Sequence, residues 1–416
     1  MDSPRRWLLG CLALLLAGCG PATPPRGTAA RTPAAPGSPA ASPGGPAAAA
    51  SASAAASPIA AGSPAAPSLA PPASLTSPAI PALTPDQLAG QRVIYSYPGT
   101  TVPESLLTAV RSGRAAGVIF FGFNAVDPAA FSRSVAALRQ AQQESPVRLP
   151  LLLMTDQEGG RIRRLPGAPE LSERAVGGSA EPMAAARAAG TGAARNLTAN
   201  GLNVNLAPVL DVYTQQGNFI DATERSYSSD PAAAAALGGA FISAQQQAGV
   251  AATAKHFPGL GTAPAGANTD QGPVTLPVSR ARLAAADETP YPAAIAAGVD
   301  LVMVSWAVYP ALDPDHPAGL SPTVVGGELR DRLGFHGVTV TDALEAGALQ
   351  AYGSTGQRAV AAAQAGMDLL LCSTGSPTQG EDATTALSDA LTTGRLDQAD
   401  FNAAVARITA LRAGLR

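Results

Sequence analysis

Residues 293–304 read AAIAAGVDLVMV, and residues 361–371 read AAAQAGMDLLL. Each stretch runs from alanine-rich sequence through a glycine and an aspartate into a short apolar run. Alanine favours helix, glycine commonly ends a helix, and a continuous apolar run is typical of a strand buried on both faces. Two copies of the same helix–turn–strand pattern predict repeated βα units and a parallel sheet.

Further apolar runs of this kind alternate with helix-competent, alanine-rich stretches. The eight runs are Arg92–Tyr97, Gly117–Phe121, Leu151–Thr155, Asn203–Val209, Val250–Ala254, Leu301–Ser305, Val338–Thr341 and Leu369–Cys372. Eight βα units in one α/β domain predict a closed (β/α)8 barrel of the TIM type. A doubly wound open sheet is the alternative, because the number of strands does not establish closure.

The N-terminus has the features of a targeting signal. The basic pair Arg5-Arg6 precedes an apolar run, Trp7–Ala17, that is too short to span a bilayer and is typical of a signal peptide. The run ends in Leu-Ala-Gly-Cys, which resembles a bacterial lipobox with Cys19 as the lipidated residue. We therefore expect residues 1–19 to be a lipoprotein signal peptide and the protein to be extracytoplasmic, lipid-anchored to the bacterial cell membrane. An ordinary secretory signal with an incidental cysteine is the alternative.

Residues 20–82 consist almost entirely of Ala, Pro, Ser, Gly and Thr, and no charged residue occurs from Thr32 to Pro85. Such a stretch cannot bury enough apolar surface to offset the entropy lost on ordering, and its prolines keep it extended. We expect a disordered linker over residues 20–82 and one barrel domain over residues 83–416.

Composition excludes several classes of protein. The net charge of −3 provides no basic field for nucleic acid. Three cysteines cannot form a disulfide framework, and Cys372 is left without a partner once the signal is removed. Neither metal-ligand spacing nor a dinucleotide-binding fingerprint is present, so we expect no metal, no other cofactor and no nucleic-acid partner.

Chemically capable side chains lie at the ends of the predicted strands. They are Asp156 after the third strand, Asp211 two residues beyond the fourth, Lys255 and His256 after the fifth, Trp306 after the sixth and Asp342 after the seventh. In a parallel barrel these ends meet on one face, where active sites lie. The alternative is that polar residues merely mark where strands end.

Lys255 is the only lysine of the chain, since every other basic side chain is arginine. A compact ammonium fits where a planar guanidinium does not, so a lysine beside histidine at a strand end suggests a functional role. Chance survival of one surface lysine is the alternative.

Five segments occur in the order of a known family's motifs. They are TDQEGGRIRRL (155–165), NLAPVLDV (205–212), ERSYSSDP (224–231), AKHFPG (254–259) and GFHGVTVTDALEAGA (334–348). Together they resemble the single-domain bacterial β-N-acetylglucosaminidases of glycoside hydrolase family 3. The resemblance implies a TIM-like barrel that removes terminal, non-reducing β-linked sugars with retention of configuration.

The resemblance also implies roles for individual residues. Asp342 matches the catalytic nucleophile, and Asp156 matches the carboxylate that receives sugar hydroxyls. The residues that match those holding the sugar ring are Arg225, Lys255 and His256.

Three further residues are candidates for substrate binding. Arg161 lies nearby, as a ligand or as a structural loop partner. Asp211 is expected to orient Lys255 or Arg225. Trp306 stands where the family usually carries histidine, and its indole is expected to form a stacking floor for a sugar. A buried core position at the rim is the alternative for Trp306.

The loop LGTAPAGANTDQGPVTLP (260–277) departs from the family pattern. The family takes its acid/base from an Asp-Ser-His triplet here, whereas this chain reads Asn-Thr-Asp at 268–270. Asp270 is the only ionisable side chain from Leu260 to Val278. We therefore predict Asp270 as the acid/base, with a pKa raised by burial or by Asp342. A solvated aspartate in an ordinary turn is the alternative.

The leading hypothesis is a lipid-anchored, retaining exo-β-glycosidase, a β-N-acetylhexosaminidase acting on peptidoglycan fragments. Its partners are then a carbohydrate substrate and, through the lipid alone, the membrane. A catalytically weak or inactive glycan-binding barrel is the second hypothesis, because the family histidine is missing. A Schiff-base aldolase using Lys255 is the third.

Overall fold

Eight parallel strands close into a barrel in the computed structural model, which describes residues 83–415. The expected signal peptide, the lipidation residue Cys19 and the expected linker lie outside the described residues. The barrel strands are β1 (Val93–Tyr95), β2 (Gly117–Ile119), β3 (Leu152–Thr155), β4 (Val204–Asn205), β5 (Ala251–Phe257), β6 (Leu301–Val304), β7 (Val338–Ala343) and β8 (Leu369–Leu371).

Each strand pairs in parallel with its neighbours in the chain, and β1 closes the barrel by pairing with both β2 and β8. Closure is visible in the register, where Val93 lies opposite Leu370 and Ile94 lies opposite both Leu371 and Gly117. Every apolar run identified in the sequence overlaps one barrel strand, and β5 and β7 extend two or three residues beyond their runs. The predicted (β/α)8 barrel is therefore confirmed, and the open doubly wound sheet is wrong.

Alternate strand residues fill the inside of the barrel. In β6, Leu301 and Met303 belong to the interior cluster, while Val302 and Val304 pack outward against the helices. This alternation follows from the two-residue period of a strand, and both faces are apolar because helices cover the outside of a parallel sheet.

Helices and short connections surround the barrel. Many helices begin with proline after a capping residue, as at Asp127, whose side chain accepts hydrogen bonds from the backbone N–H groups of Ala129 and Ala130. The α-helices are α1 (Pro85–Gly90), α2 (Glu104–Arg111), α3 (Pro128–Gln143), α4 (Glu173–Gly177), α5 (Pro182–Ala199), α6 (Pro231–Gln247), α7 (Arg280–Arg282), α8 (Pro290–Ala296), α9 (Thr355–Gln364), α10 (Pro377–Thr392) and α11 (Gln398–Gly414).

Shorter elements complete the described chain. π-Helical segments cover Leu283–Asp287 and Thr323–Arg332, and 3-10 turns cover Gly122–Asn124, Asp221–Thr223, Ala318–Leu320 and Gly347–Tyr352. Two small antiparallel hairpins pair Gln157–Gly159 with Ile162–Arg163 and Val308–Tyr309 with Asp313–Pro317. No helix within residues 83–415 is long and apolar enough to cross a membrane.

The C-terminal helix α11 packs under the end of the barrel where the strands begin. Ile408 joins the interior cluster, and Leu411 packs against it. The buried Arg412 donates hydrogen bonds to the backbone oxygens of Leu149 (3.0 Å) and Pro150 (2.7 Å). The last helix therefore closes the barrel floor and binds the segment that leads into β3.

A buried carboxylate at this same end joins three elements. Asp368, directly before β8, accepts hydrogen bonds from Arg330 Nη2 (2.7 Å), Arg407 Nη2 (2.7 Å) and the Thr339 backbone N–H (2.9 Å). It ties the helical segment before β7, the start of β7 and α11 to the start of β8.

We predict that Asp368→Ala lowers the free energy of unfolding by about 3–5 kcal/mol, because it leaves two partly buried guanidinium groups without their anion. Denaturant unfolding at neutral pH measures the change. Glu104→Ala, which removes an exposed ion pair with Arg111, is the matched control and should change stability by less than about 1 kcal/mol. A loss at Asp368 no larger than that of the control would contradict the role given to this network.

Candidate active site

A cavity of about 400 Å³ opens at the carboxyl-terminal ends of the barrel strands. Its floor is the uppermost layer of the barrel interior, formed by Ile119, Leu206, Met303 and Leu371. Polar side chains from the surrounding loops form the walls. The structure brings together six predicted site residues around this cavity, which are Asp156, Arg225, Lys255, His256, Asp270 and Asp342.

Lys255 lies at the centre of a buried charge cluster. Its Nζ atom is 2.8 Å from Asp156 Oδ1 and 2.7 Å from Glu158 Oε1. Arg225 makes a two-pronged ion pair with the same glutamate, with Nε 2.8 Å from Oε2 and Nη2 2.9 Å from Oε1. Two cations and two carboxylates therefore balance within the cluster.

The cluster fixes the charge state of its members. Burial alone would raise the pKa of Asp156, but the nearby ammonium of Lys255 and guanidinium of Arg164 hold that pKa below its ordinary value. Burial would lower the pKa of Lys255, yet Asp156 and Glu158 raise it above the ordinary value. Lys255 is thus held as the ammonium ion, whereas an amine nucleophile must lose its proton. This electrostatic setting argues against the Schiff-base aldolase.

Glu158 was missed by the sequence analysis. Asp156 and Glu158 are two residues apart at the entrance to the hairpin that follows β3, and both side chains reach the same lysine. The spacing of two residues was the available signal, because it places side chains of an extended segment on one side.

Asp211 orients His256, not Lys255 or Arg225. Its Oδ2 atom lies 2.7 Å from His256 Nδ1, and its Oδ1 atom accepts a hydrogen bond from the Leu260 backbone N–H at 2.7 Å. Asp211 is buried and lies behind the cavity lining. The expectation that it contacts substrate or orients the two cations is therefore wrong. The physical reason is that Val209 forms a β-bridge with Lys255 in β5, which brings Asp211 to the Nδ1 edge of the His256 ring.

With Nδ1 donating to Asp211, the other ring nitrogen of His256 faces the cluster. Arg225 Nη2, which can only donate, lies 3.4 Å from His256 Nε2. The peptide bond between Lys255 and His256 is cis, and both side chains line the cavity. The histidine is therefore held by Asp211 on one side and faces Arg225 on the other.

Trp306 is not a stacking floor. Its side chain is fully buried outside the cavity lining, its Nε1–H donates to the Ala343 backbone oxygen at 2.8 Å, and its ring packs tightly on Gly319. The core alternative is correct for this residue. The indole supports the backbone directly after Asp342.

Arg161 also lies away from the site. It is exposed between the two strands of the hairpin after β3 and does not line the cavity. Arg164 lines the cavity instead, with Nε 3.6 Å from Asp156 Oδ2. The hairpin returns the chain to Asp156 at Arg164, so Arg164 occupies the position at the cavity that was predicted for Arg161.

Asp342 lies near the end of β7 and Glu345 follows that strand; both line the cavity, but they make different hydrogen bonds. Asp342 Oδ1 accepts a local hydrogen bond from the Ala343 N–H at 2.8 Å. Glu345, which the sequence analysis missed, accepts hydrogen bonds from Ser373 Oγ (2.5 Å), the Ser373 backbone N–H (3.2 Å) and Gln379 Nε2 (3.0 Å). Its only sequence signal was a second carboxylate three residues after Asp342.

The loop 260–277 is attached to the segment that follows Asp342. The backbone N–H of Gly347 donates to the backbone oxygen of Asp270, and the backbone N–H of Ala348 donates to the backbone oxygen of Thr269, each at 2.9 Å. These bonds bring Asp270 to the cavity that Asp342 lines, and the residue remains exposed to solvent. Partial desolvation and the negative charge of Asp342 raise the pKa of Asp270 to about 6.

A second carboxyl group with a raised pKa, that of Glu173, lies behind the charge cluster. Glu173 on α4 is buried, and its Oε1 atom accepts a hydrogen bond from the Val209 backbone N–H at 2.9 Å. Burial and the neighbouring charge of Glu158 raise its pKa well above the ordinary value. Glu173 therefore supports the start of the Asp211 segment and is held apart from the cavity.

Known proteins resemble this chain in sequence over most of the barrel. Residues 92–411 match the model of the glycosyl hydrolase family 3 N terminal domain. An uncharacterized secreted glycosyl hydrolase of Arthroderma benhamiae is 46% identical over 329 residues, covering 79% of this chain and 93% of that protein. A beta-hexosaminidase of Xylella fastidiosa is 34% identical, covering 66% of this chain and 80% of that protein.

A solved structure extends the likeness to three dimensions. The family 3 β-N-acetylglucosaminidase of Paenibacillus sp. str. FPU-7 superimposes with a TM-score of 0.74 at 36% identity. The superposition covers 80% of this chain and 63% of that chain. On the match of the family model across most of its barrel, this chain belongs to glycosyl hydrolase family 3.

Proposed function

We propose that this chain is a retaining exo-β-N-acetylhexosaminidase with Asp342 as the nucleophile and Asp270 as the acid/base. One observation carries the proposal, namely how the carboxylates around the cavity are engaged. Asp156 and Glu158 are bound to cations, and Glu345 accepts three hydrogen bonds. Within residues 83–415, Asp342 and Asp270 line the same cavity and neither forms an ion pair.

In the proposed first step, a carboxylate oxygen of Asp342 attacks the anomeric carbon and forms a C–O bond. The glycosidic C–O bond breaks, and its oxygen takes the proton of the Asp270 carboxylic acid. In the second step, the Asp270 carboxylate takes a proton from water, whose oxygen displaces Asp342 and releases the sugar. Two inversions at one carbon give net retention.

The electrostatic environment of Asp270 suits the role of general acid. Asp270 with a pKa of about 6 keeps a useful fraction protonated near neutral pH, as a general acid requires. Glu345 is less suited to this role because its carboxylate oxygens are already engaged by Ser373 and Gln379.

The shape and chemistry of the cavity support removal of a terminal sugar. The apolar floor closes the cavity at the barrel interior, so a sugar enters it from the solvent side and ends against this floor. On the wall, Asp156, Lys255, Arg225 and His256 offer charged donors and acceptors for hydroxyl and amide groups. A cavity of about 400 Å³ is within the range of small-molecule sites.

The choice of sugar follows the relatives, one named beta-hexosaminidase and one named β-N-acetylglucosaminidase. We therefore propose terminal β-linked N-acetylglucosamine of peptidoglycan fragments as the substrate. A secreted relative is compatible with an extracytoplasmic enzyme. Lipidation at Cys19, the linker over residues 20–82 and the absence of a nucleic-acid partner remain part of the proposal.

A glycan-binding barrel with little or no activity is the second candidate. The exposed side chain of Asp270, on a loop without histidine, favours it. Turnover distinguishes the two candidates. If the full-length chain cleaves no member of a panel of aryl β-glycosides with activated leaving groups, the binding protein is the better description.

We predict that Asp342→Ala lowers kcat/KM for an aryl β-N-acetylglucosaminide by more than about 1,000-fold, because no glycosyl-enzyme forms. Added azide should restore turnover from the vacated face and yield the α-glycosyl azide, identified by NMR. Asp315→Asn, at an exposed aspartate that does not line the cavity, is the control and should retain activity. A β-configured azide product would remove Asp342 from the role of nucleophile.

Asp270→Asn should reduce kcat/KM for a disaccharide by about 100- to 10,000-fold, and much less for a dinitrophenyl glycoside, whose leaving group needs no proton. In the native enzyme, kcat/KM for the disaccharide should fall as the pH rises through about 6, where the acid loses its proton. The variant should lack this fall. Equal losses on both substrates, or an unchanged pH profile, would exclude Asp270 as the acid.

A further inference from the structure

Two phenylalanines form a stacked pair at the rim of the cavity. The rings of Phe121 and Phe123 have centroids 5.5 Å apart and planes inclined by 21°. Phe121 lines the cavity, whereas Phe123 lies beyond the lining and is 46% exposed. The pair therefore continues the wall of the cavity outward onto the surface.

The backbone holds the pair in place. Phe121 directly precedes the 3-10 turn Gly122–Asn124 that follows β2, Phe123 lies within this turn, and the buried Asn124 fixes it. Asn124 Oδ1 accepts from the Phe121 N–H at 2.8 Å, and its Nδ2 donates to the Gly99 oxygen at 2.6 Å and the Tyr97 oxygen at 3.2 Å. A ligand that stacks on Phe123 thus meets a ring whose backbone is already ordered.

Exposure of this ring is unusual for the chain. Aromatic residues make up only 4% of the sequence. Among the large apolar side chains that remain exposed in residues 83–415, Phe123 is the aromatic one, the others being Val126, Leu171 and Met183. An exposed aromatic beside a polar cavity is a common device for binding a ring with one apolar face.

The neighbours of Phe123 place it on the outer side of the site. A Cβ built on Gly375, in the loop after β8, would lie 3.8 Å from the Phe123 ring, and that loop also carries the cavity residue Ser373. Gly122, which separates the two phenylalanines in the sequence, has no side chain that could cover either ring. The exposed face of Phe123 is therefore reached from solvent along the cavity mouth.

We propose that Phe121 and Phe123 form a binding platform for the leaving-group side of the substrate, with the pyranose ring next to the scissile bond stacked on Phe123. This inference rests on the proposed function, since it assigns the terminal sugar to the closed cavity and the rest of the substrate to its mouth. The C–H groups on one face of a pyranose carry partial positive charge and meet the negative face of the aromatic ring. The platform favours substrates whose leaving group is a sugar.

The test compares two substrates that share the terminal sugar and differ in the leaving group. These are the β-1,4-linked N-acetylglucosamine disaccharide and β-N-acetylglucosaminyl fluoride, whose leaving group has no ring. We expect Phe123→Ala to lower kcat/KM for the disaccharide by about 3- to 12-fold, the size of one aromatic stacking contribution. The fluoride should change by less than about twofold.

Two further variants of the full-length chain complete the design. Phe123→Trp should restore the disaccharide value, because it restores a π face. Val126→Ala removes another exposed apolar side chain of the same segment and should leave both substrates unchanged. Equal losses on the disaccharide and the fluoride, or no loss on either, would overturn the platform.

Failure of the proposed function is distinguishable from failure of the platform. If the native chain hydrolyses neither substrate, the proposed function fails, and calorimetry decides about the platform. The platform then requires that Phe123→Ala weaken binding of the disaccharide by about 3- to 12-fold while leaving binding of N-acetylglucosamine unchanged. Equal effects on both sugars would reject it.

Discussion

The ion pairs of Lys255 with Asp156 and Glu158 are the constraint on which the rest of the site depends. Each of these charges would be costly to bury alone, and loss of one partner leaves the others uncompensated. Arg225 completes the balance from the loop between β4 and α6. The cluster therefore fixes three separate parts of the chain, namely the hairpin after β3, the loop that carries Arg225 and the end of β5, at one wall of the cavity.

This balance explains why the carboxylates around one cavity have different chemistry. Cations hold Asp156 and Glu158 ionised and oriented, and Asp211 is occupied with His256. Asp342 and Asp270 have no such partners among the described residues, and the charge of Asp342 helps to raise the pKa of Asp270. A carboxyl group whose pKa is raised, placed beside a second carboxylate, is an arrangement that suits a retaining glycosidase. In the proposed mechanism, Asp270 takes the place of the histidine that the family resemblance leads one to expect.

Stability and function are assigned to opposite ends of the barrel. At the end where strands begin, Asp368, Arg412 and α11 close the floor with buried hydrogen bonds. At the other end, the loops carry polar groups that face a cavity, and the stacked pair of Phe121 and Phe123 extends that cavity to the surface. The barrel between them provides the common scaffold from which these loops present their chemical groups to one cavity.

The sequence by itself predicted eight parallel strands and, with the family that its motifs resemble, the barrel and most of the cavity, including Asp156, Arg225, Lys255, His256, Asp270 and Asp342. These follow from local periodicity and from motifs, because strand ends of a parallel barrel meet on one face whatever the loops do.

Tertiary structure alone decided which side chains pair. Asp211 turns to His256, Trp306 is buried against Gly319, Arg164 replaces Arg161, and Glu158 shares Lys255 with Asp156. Partner choice depends on where separate loops cross and on how much water they exclude, and neither quantity is encoded in the spacing of residues along one segment.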